Sequence, residues 1–211
     1  MREFNTFGPV YPQAHYYLDR RKVKAEIFQK IEQGRYFTLN AARQMGKTTI
    51  LKEIAATLAS DQNSFGIYID FEEFVELESA DCYEQLGGYL RGWRDLYMPS
   101  APEPDPMHHH AHFVNWLSAL SRTFGQPGVL IIDEFEAVST ELLLPLLSLL
   151  RGMYNHRTDF NRHSLQSIIL VGVRTIASLL EGTRSPFNIA DQYTIPYFTL
   201  DETTSLKFIP I

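Results

Sequence analysis

The sequence has little cysteine and no long hydrophobic run. A single cysteine, Cys82, excludes an internal disulfide framework and is typical of a protein from a reducing compartment. No stretch approaches the roughly 20 apolar residues that span a bilayer. The N-terminal residues 1–5 have no apolar core of the kind that marks a secretory signal. These absences predict a cytoplasmic protein that does not enter the membrane.

Positive charge is also in short supply. The chain has 19 Lys and Arg residues against 25 Asp and Glu residues, which gives a net charge of −6. A protein that coats nucleic acid without specificity needs a broad basic face, so this balance argues against that class while leaving room for a local basic site. With 211 residues, 45% of them hydrophobic, the chain is long enough for one domain with a substantial core.

Short apolar runs alternate with helical patterns along the chain. The apolar runs are 36–39, 66–70, 129–132, 167–172 and 194–198, the last with a proline that favours a sheet edge. The helical patterns are 21–33, 47–60, 83–97, 111–124 and 141–154. This alternation predicts an α/β fold, a parallel sheet with helices on both faces. The proline-rich segment 99–106 is predicted to be a surface excursion.

The segment 41–49 carries the strongest chemical signal. It lies between the first apolar run and a helical pattern and contains Gly46-Lys47-Thr48, the layout of a phosphate-binding loop for a nucleoside triphosphate. Gly46 would let the loop close, Lys47 would reach the β and γ phosphates, and Thr48 would offer its hydroxyl to Mg²⁺. Ala41 replaces the usual first glycine of such loops, a mild departure. The predicted nucleotide-binding residues are Ala42, Arg43, Gln44, Met45, Gly46, Lys47, Thr48 and Thr49.

Two carboxylates, Asp133 and Glu134, follow the apolar run 129–132. They would lie at the C-terminal end of a buried strand, where ligands bind in open α/β sheets. Asp133 is predicted to hold Mg²⁺ through a water molecule, and Glu134 to orient and polarise the attacking water. Alone, the pattern also fits a strand that simply meets solvent. Its place after a phosphate loop, with at least one strand between, favours a hydrolytic site.

Two arginines have alternative interpretations. If the run 167–172 forms a strand between the first and third strands, Arg174 projects toward the γ-phosphate and can sense or neutralise its charge. Otherwise Arg174 is a surface residue at a strand end. Arg43 either contacts phosphate or a partner, or pairs with a surface carboxylate.

The segments 42–49, 130–134 and 171–174 together resemble the AAA-like ATPase domain of bacterial multidomain proteins. That group belongs with the STAND signal-transduction ATPases, which are relatives of AAA+ proteins. Further similar segments extend the resemblance over residues 4–204; they are 7–10, 15–20, 185–190 and 198–202.

The resemblance implies a three-layer P-loop NTPase fold with the sheet order 5-1-4-3-2. It also implies that adenine lies near the N-terminal segment and the first helix, although the aromatic-rich segment 4–20 fits plain packing against the domain equally well. The residues carried over for adenine are Gly8, Pro9, Val10 and Arg20. Arg184 is interpreted as a surface loop residue, with an arginine finger acting on a neighbouring subunit as the alternative.

The resemblance further divides the chain into an N-terminal segment with the first helix (1–34), an ATPase core (35–200) and the start of a C-terminal helix or lid (201–211). Such domains continue into a lid or winged-helix domain, so a truncated chain is expected. The predicted function is an ATP-binding and ATP-hydrolysing switch that uses ATP and Mg²⁺. Its expected partners are other domains or proteins, self-association included. The alternatives are a nucleotide-binding interaction module without efficient hydrolysis and a DNA-linked AAA+ ATPase.

Overall fold

The computed structural model describes residues 14–42, 45–61, 64–75, 77, 79–155, 165–172 and 190–205. The helices in these residues are α1 (Arg21–Glu32), α2 (Lys47–Ser60), α3 (Ser79–Tyr97), α4 (His110–Phe124), α5 (Thr140–Asn155) and α6 (Leu200–Ser205), with a 3-10 helix at Phe71–Phe74. The strands are β1 (Tyr36–Asn40), β2 (Gly66–Asp70), β3 (Gly128–Asp133), β4 (Leu165–Gly172) and β5 (Asp191–Thr194). The predicted alternation of strands and helices is confirmed.

The five strands form one parallel sheet in the order β2-β3-β4-β1-β5. Read from the other edge, this is the order 5-1-4-3-2 that the family resemblance implied. Strand β4 lies between β1 and β3, and its residue Leu170 pairs with Thr38 on one side and Ile132 on the other. Because all strands are parallel, the C-terminal ends of β1, β3 and β4 meet at one edge of the sheet, where α/β proteins bind their ligands.

Strand β3 forms the centre of the core. All six of its residues are buried, including Asp133 at its C-terminal end. A central strand that is covered on both faces needs apolar side chains in both directions, which explains the continuous run Val129–Ile132. The last residue, Asp133, breaks that apolar pattern. A carboxylate that is completely buried requires hydrogen-bond partners.

Strand β5 lies at the edge of the sheet, but three residues earlier than predicted. It covers Asp191–Thr194 instead of 194–198, and its alternating exposure is that of an edge strand. The pairing with β1 ends where the Ile195 N–H donates to the Asn40 carbonyl, at 2.9 Å. Pro196 follows directly and cannot donate a further ladder bond, so the apolar run after it continues without strand structure.

Helix α1 confirms the helical pattern predicted for residues 21–33. Val23, Ile27 and Ile31, spaced four residues apart, form its buried face. The helix ends in a Schellman motif, in which Gly34 has a φ of 65° and its N–H donates to the Ile31 carbonyl. Of the helices in the described parts of the chain, none is long and apolar enough to cross a membrane.

The proline-rich connection between α3 and α4 lies at the surface as predicted, with Pro99, Ser100, Glu103, Asp105 and Pro106 exposed, but it is bound closely to the domain. Ala101 is buried, as are the methionines Met98 and Met107 at either end of the segment. The indole Nε1–H of Trp116 donates to the Pro102 carbonyl at 2.9 Å, and Arg94 donates to the Ala101 carbonyl at 2.9 Å. Prolines lack an N–H but keep a carbonyl acceptor, so side-chain donors from both helices bind this connection to the domain.

Candidate functional site

The phosphate-binding loop enters helix α2 through Gly46. Gly46 is the N-cap of α2 and has φ 77° and ψ 19°, a left-handed conformation that glycine adopts without a steric cost. Its carbonyl accepts the first helical bond from the Ile50 N–H at 3.0 Å. The N–H groups of the first turn of α2 therefore lie just beyond the end of β1, at the edge of the sheet that favours anions.

Lys47 and Glu134 form an ion pair across the site. The Lys47 Nζ lies 3.2 Å from the Glu134 Oε1, with 9% of the lysine side chain and 32% of the glutamate side chain exposed. Glu134 has a φ of 48°, the only positive φ of a non-glycine residue within the described part of the chain. Such a conformation costs on the order of 1–3 kcal/mol and is concentrated at functional sites. The strand end thus turns sharply to present this carboxylate.

Asp133 is completely buried, and its two oxygens have separate partners. Oδ2 accepts from the Thr48 hydroxyl at 2.9 Å and from the Tyr68 hydroxyl at 2.9 Å. Oδ1 accepts from the Glu134 N–H at 3.1 Å. Three donors compensate for the loss of water around a buried carboxylate.

Tyr68 belongs to this site, and sequence reasoning missed it. It lies on β2, next to β3, and burial together with the charge of Asp133 raises the pKa of its hydroxyl far above the usual range. The hydroxyl is therefore protonated at neutral pH and donates to Asp133. Asp70, two residues further along β2, has a pKa that burial and the nearby Asp133 carboxylate raise. In a sequence, a tyrosine within an apolar run is interpreted as a core residue. Only the β2–β3 register shows that its hydroxyl reaches Asp133.

The residues present fit a magnesium ion beside a phosphate. Thr48 and Asp133 supply a hydroxyl and a carboxylate, the hard oxygen donors that Mg²⁺ prefers. No group of three or more His, Cys, Asp or Glu side chains within the described residues is arranged to hold a metal alone. Mg²⁺ is commonly held by one or two protein oxygens, water and the phosphates of a bound nucleotide.

The other predicted site residues lie before α1, in the phosphate-binding loop, after β4 or outside the described part of the chain. In the phosphate-binding loop, Ala42 is exposed, while Met45 and Thr49 are buried beside Lys47 and Thr48. Strand β4 has the position that the Arg174 hypothesis required, between β1 and β3. Predicted residues that lie outside the described part of the chain are Gly8, Pro9, Val10, Arg43, Gln44, Arg174 and Arg184.

Arg20, predicted to lie near adenine, contacts the segment that follows β5. It is 3% exposed, and its Nη2 donates to the Pro196 carbonyl at 2.9 Å. Its guanidinium stacks on the ring of Phe198, 4.6 Å from the centroid, and its Nε lies 3.5 Å from the Glu202 Oε1. The residue joins the start of α1 to the start of α6, and its contact with nucleotide stays a prediction.

A parallel sheet, a glycine-capped helix after its first strand, and a lysine and a threonine facing two carboxylates define a P-loop nucleotide-binding domain. Residues 31–180 match the AAA domain family. The chain therefore belongs to the AAA domain family.

A curated relative and several solved structures are similar to the chain. An uncharacterized WD repeat-containing protein of Synechocystis sp. is 27% identical over 205 residues, a match that covers 89% of this chain and 17% of that protein. Cdc6p of Pyrobaculum aerophilum has a TM-score of 0.56 at 15% identity, over 90% of this chain and 49% of that one. The ORC2 protein of Aeropyrum pernix, in ADPNP–ADP complexes, has a TM-score of 0.54 at 15% identity, over 88% and 49%. Drosophila ORC bound to poly(dA/dT) DNA and Cdc6 has a TM-score of 0.56 at 11% identity, over 88% and 30%.

The solved structures share the fold of the chain. The chain spans half or less of the length of each of the four proteins.

Proposed function

We propose that this domain binds ATP with Mg²⁺ and hydrolyses it, as the nucleotide switch of a STAND-like protein. The observation that carries the proposal is the meeting of two pairs of side chains from different elements. Lys47 and Thr48 come from the first turn of α2, and Asp133 and Glu134 come from the end of β3. A cation and a hydroxyl beside two carboxylates, at a helix N-terminus, provide the groups that phosphate, Mg²⁺ and an attacking water require.

Each side chain has a defined task in the proposed reaction. The N–H groups of α2 bind phosphate oxygens, and Lys47 exchanges its contact with Glu134 for the β and γ phosphates. Thr48 and Asp133 would hold Mg²⁺, which would neutralise charge on the phosphate oxygens. Glu134, released from Lys47, orients a water molecule and accepts its proton. The water oxygen bonds to the γ-phosphorus, and the bond from phosphorus to the bridging oxygen of ADP breaks.

The proposed switch would act on other domains or on partner proteins. Two observations support this role: the STAND-like motifs, and a WD repeat-containing relative of which this chain covers only 17%. In that role the core 35–200 changes its contacts with the bound nucleotide, and its neighbours respond.

Substitution of Lys47 tests nucleotide binding. Lys47→Ala removes the buried cation that would contact the phosphates, so titration calorimetry with Mg-ATP should show binding by the unchanged protein and none by the variant. Lys22→Ala is the matched control, because it removes the same charge from an exposed position on α1. Equal ATP affinity in the Lys47 variant and the unchanged protein would refute the proposed site.

A second candidate function is a nucleotide-dependent interaction module without useful turnover. The Lys47–Glu134 pair favours it, because a glutamate that stays on the lysine is not available to orient water. Phosphate release measured beside ATP binding separates the two functions, since binding without release supports the module. DNA-linked ATPase activity is a third candidate, against which the net charge of −6 argues, and a DNA shift assay across salt concentrations tests it.

A further inference from the structure

Two hydroxyl groups share one oxygen of the buried carboxylate. The Thr48 Oγ1 and the Tyr68 hydroxyl each lie 2.9 Å from the Asp133 Oδ2. A hydroxyl has one proton, and the next acceptor near Tyr68, the Asp70 Oδ2, is farther away at 3.5 Å. The tyrosine proton therefore belongs to the bond with Asp133.

The two hydroxyls belong to different parts of the fold. Thr48 lies in the first turn of α2, beside the phosphate-binding loop, whereas Tyr68 lies inside β2, which pairs with β3 from Gly66 to Asp70. Tyr68 is completely buried. Its ring lies 6.0 Å from the ring of Trp93, and the Lys52 Nζ lies 5.1 Å from its centroid. A side chain confined in this way holds its hydroxyl in one place.

We propose that Tyr68 is a positioning residue for the magnesium site, a role that rests on the proposed function. Its hydroxyl holds the Asp133 carboxylate in one orientation while Thr48 turns a lone pair of its oxygen to the metal. The orientation of Asp133 then depends on the sheet and not on the state of the phosphate-binding loop. The site is prepared for Mg²⁺ before the nucleotide arrives.

The chemistry of metal sites supports this assignment. A metal-binding carboxylate is itself hydrogen-bonded as a rule, and loss of such an outer partner reduces metal affinity about 10- to 100-fold.

The test is Tyr68→Phe in the full chain, which removes the hydroxyl and keeps the ring. We expect the Mg²⁺ concentration for half-maximal tightening of ATP binding, measured by calorimetry, to rise about tenfold. ATP affinity in EDTA should stay unchanged. Tyr36→Phe is the matched control, because Tyr36 is a buried tyrosine at the other end of the sheet whose hydroxyl donates to the Leu165 carbonyl at 3.3 Å. The Tyr36→Phe variant should show the same Mg²⁺ dependence as the unchanged protein.

Two results would overturn the role of Tyr68. One is an identical Mg²⁺ dependence in the Tyr68 variant and the unchanged protein. The other is an equal loss of ATP affinity with Mg²⁺ and with EDTA, which would show a general packing defect. If the unchanged protein itself gave no Mg²⁺-dependent ATP binding, the proposed function would fail and the role of Tyr68 with it. If the unchanged protein bound ATP in a Mg²⁺-dependent way and Tyr68→Phe did so equally well, only the role of Tyr68 would be refuted.

Discussion

The Lys47–Glu134 ion pair makes Glu134→Gln an informative perturbation. In the structure the Lys47 Nζ is 3.2 Å from the Glu134 Oε1, and the lysine is buried. A triphosphate that binds Lys47 has to displace this carboxylate first. The substitution keeps the shape of the side chain but removes its charge, so it weakens the contact that competes with ATP.

The structure sets the size of the effect. A hydrogen bond to a charged group contributes about 1.5–3 kcal/mol when buried, and an exposed ion pair contributes about 0–1 kcal/mol. Because Glu134 is 32% exposed and Lys47 is 9% exposed, a value of about 1 kcal/mol applies here. Loss of that contact should lower the melting temperature of the nucleotide-free protein by roughly 2–4 °C. ATP affinity should rise about fivefold, because the complex does not contain the pair.

The rate of ATP hydrolysis should fall in the same variant, although ATP affinity rises. Glu134 is the proposed acceptor of the water proton, and a positioned general base contributes about 10²–10⁴-fold to the rate. Glu134→Gln is therefore expected to bind ATP more tightly and to release phosphate at least about 100 times more slowly. Calorimetry at saturating Mg²⁺ measures the first quantity, and a single-turnover phosphate-release assay measures the second.

A general charge effect has to be separated from the loss of the pair. Glu136→Gln removes the same charge two residues further along, where the carboxylate lies against Gly172. If both glutamate variants gain the same affinity, the cause is reduced repulsion of the triphosphate and the pair plays no part. Unchanged or weaker ATP binding by Glu134→Gln would refute the reasoning outright.

Local signals in the sequence predicted the elements that carry the site. Helix α2 begins at Lys47 as expected, because Gly46 can adopt the left-handed cap and the residues after it form an apolar face. Strand β3 was predicted because a strand buried on both faces must be continuously apolar. The structure brings Thr48 to Asp133 and Lys47 to Glu134, and the roles assigned to these four residues stay predictions.

Pairing between distant segments could not be derived from periodicity. Alternation of strands and helices predicts a parallel sheet, but the strand order followed from the family resemblance. The contact of Tyr68 with Asp133 depends on the β2–β3 register, in which Tyr68 lies opposite Ile131 and Asp70 opposite Asp133. No local pattern encodes that register. The predicted position of β5 was wrong for a related reason, because its half-exposed residues Asp191–Thr194 do not form an apolar run.

Two further substitutions test the packing and the electrostatics around the site. Gly172→Ala should destabilise the protein by about 1–3 kcal/mol, because the added Cβ would lie 2.7 Å from the ring of the buried Phe135, whereas Gly92→Ala, in open space on α3, should stabilise it by about 0.5–1 kcal/mol. Chemical denaturation measures both, and equal effects would contradict the argument. Asp70→Asn should raise the free energy of unfolding at neutral pH. Burial and Asp133 raise the pKa of Asp70, so the folded protein binds its proton more tightly than the unfolded chain, and stability falls as pH rises through the folded-state pKa. Because the unfolded chain has the ordinary Asp pKa of about 3.9, Asp70 is neutral in both states only below about pH 3, and the gain should disappear there. A gain of equal size at acid and neutral pH would show that the carboxylate charge is not the cause.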